Sequence, residues 1–111
     1  MFGFGKTASH REVTAPELQA MLAAGNVTLV DVREPNEFAA EHIVGAINQP
    51  LSSFDPAAVP KAEGKTVVLQ CAGGKRSGMA LDKCASAKAA IDTHLGGGLA
   101  AWKAAGLPTV R

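Results

Sequence analysis

Cysteine is scarce: two residues in 111, too few for a scaffold held by disulfides. There is no tyrosine, one tryptophan and only four phenylalanines. Any core is therefore assembled mainly from Ala, Val, Leu and Ile, side chains that suit helices packed closely on a sheet. Net charge is +1, so the large cationic face that a nucleic-acid binder needs is missing, as are an acidic tail and a polybasic membrane patch. Neither nucleic acid nor a membrane is expected as a partner. The start, Met1-Phe-Gly-Phe-Gly-Lys6, has no basic stretch followed by an apolar run, so no signal peptide is read. The longest uncharged stretch near it, Leu18 to Val30, is too short to span a bilayer. A soluble, cytoplasmic protein is the expectation. What is present is 47% apolar and 19% charged residues, enough to bury the core of one domain and not two.

Residues 1–10 are Gly-rich and without periodicity, and read as a loosely ordered lead-in to one domain over 11–111. Thr14-Ala-Pro-Glu17 reads as a capping box with Pro in the first turn. Leu18, Met21 and Leu22 follow at helical spacing, and Gly25 is placed to end the helix. Val27–Val32 is rich in β-branched residues and predicts a buried strand. Pro35–Ala40 predicts a short helix, Ala46–Gln49 a short strand, and Asp55-Pro56 a capped turn. Thr66–Gln70 predicts the second clear strand. Arg76–Ala87 predicts a helix with Met79, Ala80, Leu81 and Cys84 on one side. Ile91–Leu95 predicts a third strand, Gly96–Gly98 a turn, and Leu99–Ala105 a last helix. Strands alternating with helices argue for a parallel sheet covered on both faces.

One stretch carries chemistry: Leu69-Gln-Cys71-Ala72-Gly73-Gly74-Lys75-Arg76-Ser77-Gly78. A cysteine at the C-terminal end of a buried strand, then a tight Gly-containing loop opening a helix, stands where ligands bind in open α/β sheets. Gly73 and Gly74 let successive N–H groups turn inward, and the helix adds its positive end. Lys75 and Arg76 add two charges, and no Asp or Glu occurs between Gly64 and Leu81. Such a loop binds anions and favours thiolate over thiol. An ordinary cysteine titrates at about 8.5, and each unit of lowering is worth about 1.4 kcal/mol to the anion. No His or Asp lies within the stretch, so activation of Cys71 is expected to be electrostatic and not to use a paired base. Arg76, a planar fork, is expected to hold an oxyanion better than Lys75.

The chain resembles the single-domain rhodanese, or sulfurtransferase, family over nearly its whole length. Cys71-Ala-Gly-Gly-Lys-Arg76-Ser is similar to that family's active loop. Leu29-Val-Asp-Val-Arg-Glu-Pro-Asn-Glu-Phe38 with Glu41-His-Ile-Val-Gly-Ala-Ile-Asn48 is similar to its first signature. Leu95-Gly-Gly-Gly-Leu-Ala-Ala-Trp102 with Ala105-Gly-Leu-Pro108 is similar to its second. Glu41 and Val44 depart from the Gly and Pro usual at those positions. The resemblance implies a five-stranded parallel sheet with helices on both faces and sulfur transfer through a persulfide on Cys71. Residues 72–77 would bind the donor, an anion such as thiosulfate, and the acceptor would be cyanide or a thiol. It leaves room for a protein partner in a sulfur relay, with the chain as persulfide carrier. No cofactor is expected, and with no Cys-x-x-Cys or His-x-x-x-His pattern no metal site is expected. By the same resemblance, arsenate reductases and phosphatases use a loop one residue longer than the six of Cys71–Arg76.

Other residues have plainer readings. Asp31 and Arg33, at a strand end, are candidates for the rim of the site, with a structural ion pair the favoured reading. His42, beside Ile43 and Val44, reads as packed and hydrogen-bonded. His10 falls in the lead-in and His94 in a strand, neither at metal-ligand spacing. Cys84 lies eight residues after Arg76, about 12 Å along a helix, too far for a disulfide with the loop, and reads as core. Trp102 reads as a packed anchor.

Overall fold

Five short segments pair side by side in one sheet, the three middle ones largely buried and the two edge ones partly or fully exposed. A computed structural model describes residues 10–111. Apart from His10, the expected lead-in lies outside the described residues. The strands are β1 (Arg11–Val13), β2 (Val27–Asp31), β3 (Ile47–Asn48), β4 (Thr66–Gln70) and β5 (Thr93–Leu95). They form one sheet in the order β1-β5-β4-β2-β3, every pairing parallel. The helices are α1 (Ala15–Ala24), α2 (Pro35–Ala40), α3 (Lys75–Ser86) and α4 (Gly98–Ala104), with 3-10 turns at Leu51–Ser53 and Pro56–Ala58.

Alternate residues of the central strands feed two cores. On one face Val30, Leu69 and Cys71 pack with Ala80, Leu81 and Cys84 of α3. On the other, Leu29, Val68 and Leu95 pack with Leu18 of α1 and with Leu99 and Trp102 of α4. Each fully buried Leu or Val contributes about 1.5–3 kcal/mol, so α3 and α4 are held by packing more than by helix propensity.

The local signals behave as their chemistry requires. Thr14 Oγ1 accepts from the Glu17 amide at 3.2 Å and Glu17 Oε1 accepts from the Thr14 amide at 2.8 Å, closing the capping box. Gly25 ends α1 at φ 72°. Asp55 Oδ1 accepts from the Ala57 amide at 3.0 Å. Strands β2 and β3 are shorter than expected, ending at Asp31 and spanning only Ile47–Asn48, and α4 runs one residue earlier, over Gly98–Ala104. Three further differences bear on the site and the core. Strand β1 has no counterpart in the sequence reading. Strand β5 starts at Thr93 although Ile91 is buried. Helix α3 begins one residue early and turns Ser77, Ala80, Leu81 and Cys84 inward, leaving Met79 46% exposed instead of on the core side.

The topology fixes where a site forms. The chain leaves β2 toward β3 and leaves β4 toward β5, in opposite directions across the sheet. The crevice between the C-terminal ends of β2 and β4 is thus a switch point, open to a ligand. Cys71 follows β4 there.

Candidate functional site

Gly74 makes the loop possible. It caps α3 at φ 110°, a conformation that residues with a Cβ avoid. The turn aims the Gly74 amide back at the Cys71 sulfur, 3.0 Å away. On the same side lies the Ser77 hydroxyl, 3.6 Å from Sγ. Cys71 is 1% exposed, a sulfur at the floor of a cradle whose rim residues Ala72, Gly73 and Lys75 are exposed.

The cradle is held from behind by α4. The Leu99 amide donates to Cys71 O at 2.8 Å and the Ala100 amide to Ala72 O at 3.0 Å. Gln70 Nε2 donates to Cys71 O at 2.9 Å. With those carbonyls drawn away from the sulfur, the loop's N–H groups are left to face it. Gly98 permits the approach: a Cβ there would stand 2.5 Å from Cys71 O and 2.7 Å from Ala72 C and O. The Gly96–Gly98 run, expected only to turn the chain, also seats the active loop.

Burial pushes the Cys71 thiol up, but the Ser77 hydroxyl and the amides of Ser77, Gly74 and Gly73 outweigh it, so the thiol lies below its ordinary value. The expected lowering is present. Its principal sources are hydrogen bonds, not the charges of Lys75 and Arg76. Cys84, buried with no such donors, is pushed up by desolvation and is fully buried core.

Arg76 does not wait for an oxyanion. Its fork closes on a carboxylate, Nη1 to Glu37 Oε1 at 2.6 Å and Nη2 to Glu37 Oε2 at 3.0 Å. The acid-free run between Gly64 and Leu81 concealed this, because Glu37 arrives from α2. The pair ties α2 to the start of α3 across the crevice. The Arg76 hydrogen bond, set against a smaller desolvation effect, lowers the Glu37 pKa from 4.5 to about 2. Because the folded-state value is the lower one, the pair stabilises the fold fully above about pH 4.5. That contribution is lost as pH falls toward 2. Acid unfolding of Glu37→Gln is expected to differ from the parent above that window and to converge with it below. The same variant separates two roles for Arg76. If Arg76 acts through the pair, Glu37→Gln and Arg76→Ala weaken thiosulfate use alike. A Glu37→Gln protein that uses thiosulfate as well as the parent would return Arg76 to direct donor binding.

Asp31 and Arg33 sit beneath the crevice as a buried ion pair, not on its rim. Arg33 Nη2 donates to Asp31 Oδ2 at 2.8 Å, Nε to both carboxylate oxygens at 3.1 Å, and Nη2 also to Glu41 O at 2.7 Å. No part of this guanidinium faces a ligand, since its side chain is 5% exposed. Glu41, where the family pattern has Gly, binds Lys103 Nζ at 2.6 Å and Thr109 Oγ1 at 2.9 Å. These contacts hold its carboxyl below the ordinary range. His42 stacks on Phe38 with ring centroids 3.8 Å apart and bonds Phe38 O through Nδ1 at 2.7 Å, packed as expected. Trp102 is buried and donates to Pro108 O at 2.8 Å.

His94 is the residue that sequence reasoning set aside. Its Nδ1 is 2.7 Å from Ser77 Oγ, which places an imidazole one hydroxyl away from the Cys71 sulfur. Only strand register could have revealed it, since 17 positions separate it from Ser77.

Comparison with known proteins agrees with this fold. Residues 14–105 match the Rhodanese-like domain family. An uncharacterized protein of Synechocystis, slr1261, is 49% identical over 95% of this chain and 59% of its own length. This chain therefore spans well under two thirds of that relative. The human thiosulfate:glutathione sulfurtransferase is 40% identical over 58% of this chain and 68% of its own. Among solved structures, a rhodanese-related protein from Thermoplasma volcanium superposes with TM-score 0.77 at 27% identity. That match covers 91% of this chain and 98% of the other.

Proposed function

The chain belongs to the rhodanese-like domain family, and from that premise we propose that it is a sulfurtransferase working through a persulfide on Cys71. The observation that carries this is the sulfur itself, with the Gly74 amide 3.0 Å from Sγ and the Ser77 hydroxyl beside it. Donors aimed at one atom stabilise an anion there, and each stage of the reaction carries one. In the first half, the Cys71 thiolate attacks the outer sulfur of thiosulfate. The S–S bond of the donor breaks, sulfite leaves with its electron pair, and Cys71 holds an anionic persulfide. In the second half, cyanide or a thiolate attacks the outer persulfide sulfur, and Cys71 leaves as thiolate. The depth of the sulfur favours a donor that presents one slender atom.

Residues 72–77 form the binding loop on this reading. Their backbone supplies the donors and Lys75 a charge at the mouth, while Arg76 holds the loop through Glu37. With the Arg76 fork already engaged, the loop offers no free bidentate side chain to a tetrahedral oxyanion. The six-residue length of Cys71–Arg76, one residue shorter than the loop of the phosphatase and arsenate-reductase relatives, is what favours sulfur over phosphate or arsenate chemistry.

Intact mass spectrometry tests the proposal. Incubation with thiosulfate is expected to add one sulfur atom to the protein, and Cys71→Ser to abolish the addition. Cyanide is expected to remove it as thiocyanate. No adduct with any sulfane donor would overturn the reading. Release to a protein thiol much faster than to cyanide would make the chain a carrier in a sulfur relay.

A further inference from the structure

Behind the Cys71 sulfur stand three polar side chains in series. Strand register accounts for two of them. His94 of β5 pairs with Glu12 of β1 on one side and with Leu69 of β4 on the other. Paired residues of parallel strands project from the same face, and Leu69 belongs to the core beneath α3. His94 and Glu12 therefore lie together on that face, and Ser77, in the first turn of α3, covers the imidazole. The separations are 3.6 Å from Cys71 Sγ to Ser77 Oγ, 2.7 Å from Ser77 Oγ to His94 Nδ1, and 3.6 Å from His94 Nε2 to Glu12 Oε2.

The positions of the protons follow from charge. The neutral ring has one N–H. Its Nε2 is buried with no hydrogen-bond partner among the described residues, and the charge beside it is the Glu12 carboxylate. A proton on Nε2 is attracted by that carboxylate, whereas a bare Nε2 lone pair is repelled by it. The proton belongs on Nε2, and Nδ1 is then an acceptor. Ser77 has one hydroxyl hydrogen and, besides the sulfur, two acceptors, Gly74 O at 3.1 Å and His94 Nδ1 at 2.7 Å. The shorter contact takes it. The serine oxygen then turns a lone pair toward the Cys71 thiol.

We propose that His94 takes the thiol proton of Cys71 through the hydroxyl of Ser77. The Cys71 S–H bond breaks as its proton moves to Ser77 Oγ, and the serine's own proton moves to His94 Nδ1. The products are a Cys71 thiolate and a His94 imidazolium, with no proton exchanged with solvent. The serine now accepts from the ring and donates to the sulfur, and Glu12 faces the new N–H charge. The inference rests on Cys71 being the reactive thiol of the proposed sulfur transfer. It adds that a dianionic donor would meet a neutral ion pair in place of a bare anion.

Every group packed around His94 bears on this. From the β1 side come Glu12 and His10, the latter in edge-on contact at 5.9 Å. His10 is itself engaged by Asp82 of α3 at 2.9 Å. From the loop after β4 comes Cys71. Burial holds the His94 pKa below its ordinary value, with Glu12 raising it and His10 lowering it further. An imidazole so placed resists a proton from solvent, and accepts one most readily when a negative sulfur forms beside it. The two sites titrate as a coupled pair.

Two titrations on the wild-type protein test the proposal: thiolate ultraviolet absorbance for Cys71, corrected with Cys71→Ser, and ring ¹⁵N chemical shifts for His94. A pH interval in which thiolate and imidazolium coexist is expected. In Cys71→Ser, His94 is expected to lose its proton at lower pH than in the wild type. His94→Asn can still bond Ser77 but holds no basic nitrogen. It is expected to leave about tenfold less thiolate at a pH below the thiol's midpoint, a rise of about one unit. Ser77→Ala is expected to shift the midpoint similarly, and the double variant no further. Thiolate that appears only once His94 is neutral would overturn the relay, as would a His94→Asn titration superimposable on the parent's. Neither titration needs a sulfur donor. A protein that fails to form a persulfide would defeat the sulfurtransferase reading while these curves still judged the relay.

Discussion

Replacing Gly98 by alanine is expected to cost about 2–5 kcal/mol of stability and to remove most of the thiosulfate-dependent sulfur addition to Cys71. Two effects add. Gly98 adopts φ 60°, which is strained for any residue with a Cβ. The added methyl would also stand 2.5 Å from Cys71 O. The obstructing atoms are backbone, and no rotamer change relieves them. Either α4 or the active loop must move, and each movement breaks the bonds from the Leu99 and Ala100 amides to the loop carbonyls. Those carbonyls then compete with the amides for the space around Sγ. Gly106 supplies the control. It has φ 78°, and a methyl added there would meet nothing within 4 Å. Gly106→Ala therefore carries only the backbone strain, about 1 kcal/mol. Thermal unfolding and persulfide formation measured on both variants decide the matter. Equal effects at the two glycines would mean that the loop yields without consequence.

Asp31→Ala is expected to destabilise the protein by about 3–5 kcal/mol, because it strands the Arg33 guanidinium where water does not reach. Arg33 and Asp31 side chains are 5% and 0% exposed. After the change, only Glu41 O remains of the Arg33 side-chain acceptors. A domain of this size commonly has about 5–15 kcal/mol in total, so the loss is a large part of it. The double variant Asp31→Ala with Arg33→Met removes the stranded charge and is expected to recover much of the deficit. Urea midpoints of the three proteins test this. A single variant within about 1 kcal/mol of the parent would show that water or a rearranged carbonyl satisfies Arg33.

What the sequence disclosed is what is contiguous in it. The capping box at Thr14, the strand Thr66–Gln70 and the cysteine loop entering a helix each complete their logic within a few residues, and each stands where it was expected. Strand β1 did not announce itself because Arg11-Glu12-Val13 has one apolar residue and borrows its order from β5. Met79 misled because an apolar side chain at helical spacing is not obliged to face inward. In the site, Cys71 and its loop were legible. Glu37, His94 and Gly98 were not, because each reaches the loop through the fold from another element. The charge balance around Arg76 and the proton acceptor behind Ser77 depend on sheet order, which no local pattern specifies. The sulfur chemistry itself became specific through three ordered motifs matching one family, not through composition.

The seating of the loop on α4 also has a consequence for the order of events in folding. Strand β1 pairs with β5, Arg11 opposite Thr93, so one of the first described segments to leave a ribosome waits for one of the last. The amides that hold the loop carbonyls belong to residues 99 and 100. Pairings that span most of the chain form slowly, since the loop-closure entropy comes before the contact. During that wait Cys71 has neither its cradle nor the register that brings His94 behind Ser77. The unfinished chain thus carries an ordinary thiol, and the lowered pKa of Cys71 arises only with the nearly complete domain.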